Sequence, residues 1–177
     1  MSLATPDVIV IRGAPGSGKS QTAKYLAAKL GRGCRIEVDT LRQMIIAVDW
    51  TNQAEHRNVL SLATGLVAGF LRLGQRPVIV VDTFSGDKLG NFLADLRAQE
   101  NSLDVRMFTL APTPAVLRAR VEGRPADQFK DISVCEKLNA DILRHLQPGE
   151  RLVDNSVLTP IETVDLICAE CEAPEPA

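Results

Sequence analysis

The segment that most constrains the fold is a glycine-rich stretch of eight residues, Gly13-Ala-Pro-Gly-Ser-Gly-Lys-Ser20. It matches the pattern G-x-x-x-x-G-K-[ST] in full, between an apolar run that ends at Arg12 and a run with helical period. Because glycine tolerates positive φ, this turn can aim several backbone N–H groups at one anion, at the positive end of the next helix. The sequence therefore predicts a phosphate-binding loop between a first strand and a first helix.

The side chains of this loop indicate a nucleoside triphosphate, for which we expect ATP, together with Mg²⁺. Lys19 has the length to reach the β- and γ-phosphates, and Ser20 supplies a hydroxyl for Mg²⁺. The alternative is a chance glycine-rich turn with a surface lysine, which the strand and helix on either side disfavour. The predicted nucleotide-binding residues are Gly13, Ala14, Pro15, Gly16, Ser17, Gly18, Lys19, Ser20 and Gln21.

Short β-branched runs alternate with longer helical stretches along the chain, which is typical of βα units that build a parallel sheet between two helical layers. We predict an α/β fold: a three-layer αβα sandwich around a five-stranded parallel sheet of the P-loop NTPase type. Because the second run alternates polar and apolar residues, it should be an edge strand, whereas the third is nearly continuously apolar, as expected for a central strand. The predicted strands are Val8–Arg12, Arg35–Asp39, Val78–Asp82, Val105–Leu110 and Arg151–Asp154.

Two carboxylates should close strands at the edge of the sheet where ligands bind. Asp82 follows the apolar run Val78–Val81 and is a candidate Mg²⁺ ligand, directly or through water; a turn-forming or helix-capping aspartate is the alternative. Asp39 is followed by Arg42 one helical turn later, so both can face the same cleft. Asp39 would accept the acceptor's hydroxyl proton and Arg42 would bind an anionic group, although a capping carboxylate beside a solvated arginine fits the spacing equally well.

Three arginines cluster after the fourth strand, on a short helix that Gly123 and Pro125 interrupt. A mobile segment around residues 118–130 that closes over the phosphates would exclude water and stabilise transferring charge, with Arg120 and Arg124 as contacts. The alternative is that these arginines form a solvated face of the helix.

Composition sets the remaining limits. A chain of 177 residues with 45% hydrophobic content suits one domain, expected over residues 1–171 and followed by a frayed tail at 172–177. A net charge of −2 disfavours a broad nucleic-acid footprint. The four cysteines are scattered along the chain, which favours a reduced, cytoplasmic setting. The N-terminal residues include no positively charged segment, and the apolar runs are too short for a signal sequence or a membrane span.

Three further features have mainly structural interpretations. Cys168 and Cys171, one helical turn apart, are expected to face the core rather than to bind zinc. His56 and His145 are expected on the surface or in the core, although either could line the cleft. Trp50 lies between two predicted helices, where an aromatic ring could stack on an acceptor or simply pack.

These motifs together resemble the P-loop kinases of the polynucleotide kinase, zeta toxin and chloramphenicol phosphotransferase type. The resemblance covers most of the chain and implies that Asp39 is the general base and that Arg42 and Arg124 act on phosphates. The chain departs from the pattern at Phe84, where these kinases often have asparagine, and at Thr40, where they have a second acidic residue. The residues that carry the resemblance are the loop Gly13 to Ser20, Asp39 with Arg42, Asp82-Thr83, and Arg120 with Arg124.

The sequence thus predicts an ATP-dependent kinase whose catalytic residues are Lys19, Asp39, Arg42, Arg120 and Arg124. The acceptor is either a small molecule or a 5′-hydroxyl of nucleic acid. The alternative is a P-loop ATPase or nucleotide-binding subunit that works with a protein partner. A regulatory GTPase is disfavoured because the chain has no Asn-Lys-x-Asp sequence.

Overall fold

The computed structural model describes residues 5–100 and 102–172, and its centre is a parallel sheet of five strands in the order β2-β3-β1-β4-β5. The predicted five-stranded parallel sheet is confirmed, with β2 at an edge. Of the expected frayed tail, Glu172 ends the last helix, and residues 173–177 lie outside the described residues. The strands are β1 Val8–Arg12, β2 Cys34–Glu37, β3 Val78–Asp82, β4 Val105–Leu110 and β5 Arg151–Val153.

Helices cover both faces of this sheet, because alternate strand residues point to opposite sides. Val8 and Val10 pack against the helices on one side, whereas Ile9 and Ile11 pack against those on the other. This arrangement confirms the three-layer αβα sandwich. The helices are α1 Lys19–Leu30, α2 Val38–Gln43, α3 Gln53–Arg72, α4 Lys88–Gln99, α5 Pro114–Glu122, α6 Ile132–Arg144 and α7 Pro160–Glu172.

The second strand ends earlier than predicted. We expected it to reach Asp39, but pairing with β3 stops at Glu37, and α2 begins at Val38. Asp39 therefore lies in the first helical turn, where the helix dipole favours a carboxylate. The sequence could not show this because Val38 suits a strand and is also buried in the core as a helical residue.

A third apolar cluster lies under the phosphate-binding loop. Leu117 and Val121 of α5 and Cys135 and Ile142 of α6 pack against Ala14 of the loop. Because these five residues are buried together, α5 and the loop are held as one packed unit.

A buried ion pair joins the end of β1 to the segment before β5. Arg12 Nε lies 2.6 Å from Glu150 Oε1, and neither side chain is exposed. The guanidinium also donates to Thr109 Oγ1 at 3.1 Å and to the carbonyl oxygen of Phe84 at 3.0 Å. Sequence analysis missed this pair because nothing local relates two residues so far apart in the chain.

The cysteines follow the prediction. Cys168 and Cys171 are partly buried against the core under α1 and α7, and all four cysteines are free thiols. Burial raises the pKa of the Cys171 thiol to about 12, so this thiol stays protonated. None of the helices within residues 5–100 and 102–172 is long and apolar enough to cross a membrane.

Candidate functional site

The strand register brings the predicted site residues to one edge of the sheet. Arg12 pairs with Asp82, so the loop that begins at Gly13 leaves β1 level with this carboxylate. On the other side of β3, Glu37 pairs with Val81, so Asp39 lies just beyond the same level. The loop, Asp82 and Asp39 therefore meet at the carboxyl ends of three adjacent strands, as expected for an open α/β sheet.

The loop has the backbone conformation that phosphate binding requires. Gly16 and Gly18 have φ of 92° and 96°, which disfavours any residue with a Cβ atom. The first helical hydrogen bond of α1 runs from the Thr22 N–H to the Gly18 carbonyl oxygen. The N–H groups of Lys19, Ser20 and Gln21 come before this bond and have no acceptor within the helix. These groups remain available to an anion at the positive end of α1.

Lys19, near the end of the loop, is 9% exposed and interacts electrostatically with both carboxylates. Burial lowers the pKa of its ammonium group, whereas the negative charges of Asp39 and Asp82 oppose that shift. Ser20, by contrast, is exposed at the start of α1, where its hydroxyl is open to a ligand.

Asp82 is nearly completely buried, and each of its carboxylate oxygens has a donor. His56 Nε2 lies 3.1 Å from Oδ1, and the Phe84 N–H donates to Oδ2 at 2.7 Å. Burial alone would raise the pKa of Asp82, but His56, the Phe84 N–H and Lys19 hold it below its ordinary value. Asp82 is therefore a fixed, ionised carboxylate at the centre of the site.

Asp39 has the opposite electrostatic character. Its side chain keeps contact with solvent, but partial burial and the negative charge of Asp82 raise its pKa, against the influence of Lys19, His56 and Arg42. The site therefore contains one carboxylate held ionised and a neighbour with a greater affinity for a proton. Such a difference is typical of paired acidic groups with different catalytic roles.

Arg42 lies one turn after Asp39, and its Nη2 contacts neighbours within the protein, whereas its Nε is buried without a hydrogen-bond partner among the described residues. Arg42 is 4% exposed, donates from Nη2 to the carbonyl oxygen of Asp49 at 3.0 Å, and lies 3.6 Å from Glu55 Oε1. The ring of Trp50 covers it, with 4.6 Å between Cζ and the ring centroid. Binding a phosphate through Nη2 would require Arg42 to leave these contacts.

The two arginines of the predicted lid have different surroundings. Arg120 donates to the carbonyl oxygens of Ser17, at 3.3 Å, and of Asn155, at 2.8 Å, and burial lowers its pKa. Arg124 lies beyond the end of α5 and donates to the carbonyl oxygen of Phe129 at 2.7 Å. Its positive charge lowers the pKa of Lys19.

A cavity of about 170 Å³ adjoins the loop on the side away from Asp39. Asn155 donates from Nδ2 to the carbonyl oxygen of Ser17 at 2.9 Å, while its Oδ1 is buried without a partner in the described structure. A larger cavity of about 480 Å³ lies along β4 and the start of β5, away from the loop. The smaller cavity is lined by Gly18, Thr22, Arg120, Asn155, Leu158 and Pro160.

These residues fit the ligands predicted from the sequence. At Gly13, an added Cβ would lie 2.4 Å from Ser17 Oγ and 2.8 Å from the Leu110 carbonyl oxygen, so the loop tolerates no larger residue there. The loop backbone and Lys19 match a triphosphate. A hydroxyl from Ser20 and a carboxylate from Asp82 are hard oxygen donors of the kind Mg²⁺ prefers.

A comparison with protein families gives a match to the AAA domain over residues 8–148, which includes the loop, both carboxylates and the lid arginines. The chain belongs to the AAA domain family. A comparison with curated proteins gave no match.

Solved structures similar to this AAA domain are P-loop kinases in fold. A sugar kinase from Janibacter shares 19% identity, with a TM-score of 0.71 and 93% coverage of each chain. A gluconokinase from Sinorhizobium meliloti shares 21%, with a TM-score of 0.66 and coverage of 94% of this chain and 92% of the other. The tunicamycin resistance protein of Deinococcus radiodurans shares 19%, with a TM-score of 0.68 and coverage of 94% and 95%. These likenesses confirm the predicted P-loop kinase fold of this AAA domain.

Sequence analysis missed two polar residues of the site in this AAA domain, Lys88 and Asn155, and left the place of His56 open. His56 was expected in the core or on the surface, although its lining the cleft was left open, and it contacts Asp82. Lys88 is buried at the start of α4 and donates to Gln53 Oε1 and Ser85 Oγ at 2.7 and 2.9 Å. Asn155 holds the loop from after β5. Only a contact between distant segments reveals these residues, although the scarcity of histidine was a signal for His56.

Proposed function

We propose that this protein is an ATP-dependent kinase that transfers the γ-phosphoryl group to a hydroxyl acceptor, either a small molecule or a nucleic-acid 5′-OH. The observation that carries the proposal is the convergence of Lys19, Asp39 and Asp82 beside a phosphate-binding loop. A base beside the loop can activate the nucleophile that attacks the γ-phosphorus, which is an alcohol in the proposed reaction and water in an ATPase, so phosphorylation of an alcohol distinguishes the two.

Asp39 is the proposed general base. Its raised pKa favours proton acceptance, and its contact with solvent leaves room for an acceptor to reach it. As the acceptor oxygen bonds to the γ-phosphorus, the bond from that phosphorus to the β–γ bridging oxygen breaks, and ADP leaves. The hydroxyl proton passes to Asp39.

Fixed cations around the loop stabilise the transferred charge. Lys19 contacts the β- and γ-phosphates, and Arg120 and Arg124 extend the positive charge over them from the α5 side. We propose that the segment around residues 118–130 is the lid: α5 and Arg120 stay packed on the loop, and the part beyond the last turn of α5, which carries Arg124, is the part that can move.

Ser20 and Asp82 would hold Mg²⁺, which supplies charge neutralisation on the phosphate oxygens when bound. Because both oxygens of Asp82 already accept hydrogen bonds, this carboxylate suits a contact through water. The cavity beside Arg120 would take the nucleotide base, with Asn155 Oδ1 as an unused acceptor for an amino group such as that of adenine.

Substitution of Asp39 tests the proposal. We expect Asp39→Asn to bind ATP with unchanged affinity and to lose acceptor phosphorylation by at least about 100-fold, because general-base catalysis contributes about 10²–10⁴. The measurements are titration with a fluorescent ATP analogue and transfer of labelled phosphate to a panel of alcohols, nucleosides and 5′-OH oligonucleotides.

The matched variant is Lys19→Ala, which should lose nucleotide binding because it removes the charge that contacts the phosphates. Transfer by Asp39→Asn at the wild-type rate would show that Asp39 is not the base. ATP turnover stimulated by a protein partner, with no alcohol phosphorylated, would count against the kinase.

A further inference from the structure

The backbone of Phe84, two residues after the end of β3, has an unusual conformation. Its φ is 45°, in the left-handed region that residues with a Cβ atom rarely adopt, and the residue is completely buried. An aromatic residue in this region is strained, and such strain persists only where the surrounding structure holds it. The Phe84 N–H donates to Asp82 Oδ2 at 2.7 Å, so the strained residue is one of the two groups that orient this carboxylate.

Contacts from other elements hold the strained segment on both sides. Arg12 of β1 donates from Nη1 to the Phe84 carbonyl oxygen at 3.0 Å. Asp141 of α6 accepts a hydrogen bond from the Gly86 N–H through Oδ2, at 2.6 Å. The ring of Phe84 packs against the ring of Phe92 in α4, with 5.2 Å between the centroids. The backbone and the side chain are therefore both fixed, which keeps the N–H directed at the carboxylate.

Asp141 is the contact that can be removed without disturbing the core. Its side chain is 28% exposed, and its other oxygen, Oδ1, lies 3.3 Å from His145 Nδ1 and 3.7 Å from Arg144 Nη2. These two neighbours lie at the end of the same helix, whereas the Gly86 N–H belongs to the segment after β3. Either neighbour can therefore be lost without breaking the bond to Gly86.

We infer that Asp141 and Arg12 are positioning residues for the metal-binding carboxylate and act through the backbone of residues 84–86. This inference rests on the proposed function, in which Asp82 and Ser20 would hold Mg²⁺. Asp141 and Arg12 each hold one peptide group of the strained segment. The segment in turn fixes the direction of the Asp82 lone pairs, as groups around metal ligands commonly do.

Substitution of Asp141 tests the inference without removing a core side chain. With a saturating non-hydrolysable ATP analogue, we expect Asp141→Ala to weaken Mn²⁺ binding about tenfold, because the Gly86 N–H loses its acceptor and the segment can shift. Asp141→Asn should keep most of the affinity, since its amide oxygen can still accept from that N–H. Electron paramagnetic resonance of free Mn²⁺ measures the affinity. Binding of the analogue in EDTA should be unchanged in both variants.

A second pair of variants tests the strained residue itself. Phe84→Ala and Phe92→Ala each delete one ring of the same buried pair, but only Phe84 carries the N–H that reaches Asp82. Without its ring in the core, residue 84 can return to negative φ. We therefore expect Phe84→Ala to weaken Mn²⁺ binding about tenfold and Phe92→Ala to leave it unchanged.

Glu170→Ala is the control for the loss of a negative charge, because that carboxylate lies 3.3 Å from Arg151 on the surface. Wild-type Mn²⁺ affinity in Asp141→Ala would overturn the inference, as would an equal loss in Asp141→Asn or Glu170→Ala. These outcomes leave the kinase proposal intact, since phosphorylation of an alcohol by the wild-type protein tests that proposal separately. If the wild-type protein binds Mn²⁺ no more tightly than the analogue alone does, the metal site and the inference both fail.

Discussion

At the scale of single residues, the decisive feature is that Asp82 is held in one orientation by His56 and by the Phe84 N–H. A carboxylate without these donors could rotate. The two hydrogen bonds fix the orientation of Asp82 and therefore the direction of its remaining lone pairs. Loss of a group that orients a metal-binding residue typically weakens metal affinity about 10–100-fold. We therefore interpret His56 as a positioning residue for Asp82.

This interpretation predicts a change in metal affinity. We expect His56→Ala to weaken Mn²⁺ binding to the protein with a bound ATP analogue about tenfold, because Asp82 loses one of its two donors. Electron paramagnetic resonance of free Mn²⁺ measures this affinity without turnover. His145→Ala is the control, since that exposed histidine contacts the Asp141 carbonyl oxygen on α6. Equal effects of the two substitutions would contradict the positioning role.

At the scale of elements, the phosphate-binding loop depends on its packing against α5. An added Cβ at Gly16 would lie 2.7 Å from Val121 Cγ2 and 3.2 Å from Leu117 Cδ1, in a position that already has positive φ. The loop and α5 are therefore pressed together through the same buried side chains that form the third core cluster. A movement of α5 would be transmitted directly to the loop.

Gly16→Ala should accordingly damage both stability and binding. We expect a loss of about 1–3 kcal/mol in the free energy of unfolding and at least tenfold weaker ATP binding, from backbone strain and the clash with α5. Chemical denaturation and nucleotide titration measure the two effects. Gly65→Ala is the matched control: an added Cβ in α3 meets nothing within 4 Å, so it should stabilise the protein by about 0.5–1 kcal/mol. A Gly16→Ala protein that binds ATP normally would refute the packing argument.

At the scale of the whole molecule, one buried guanidinium joins segments from most of the chain. Arg12 of β1 contacts Glu150 before β5, Thr109 of β4, the turn after β3 and the end of α6. Thr109 Oγ1 also donates to Glu150 Oε1, so the three side chains form a closed network. Because the network lies directly below the loop, it fixes the sheet edge on which the site is built.

Removal of the buried carboxylate of Glu150 should strongly destabilise the protein. We expect Glu150→Ala to lower the free energy of unfolding by about 3–5 kcal/mol, because it leaves a buried guanidinium without its counter-ion. Asp165→Ala, which breaks the surface pair with Lys29, should change it by less than about 1 kcal/mol. Urea unfolding of the two variants measures the difference. Similar losses of unfolding free energy in the two variants would show that water reaches Arg12.

The sequence by itself determined the loop, the parallel sheet and the strand of Asp82, because each depends on local features: glycine spacing, apolar periodicity and the turn between them. It misjudged the end of β2 by two residues, since Val38 fits a strand or a helix and only the extent of pairing with β3 decides. Tertiary structure alone decided the contacts between distant segments. It placed His56 on Asp82, paired Arg12 with Glu150 and buried Arg42 beneath Trp50, because packing fixes which charges meet and which stay available to a ligand.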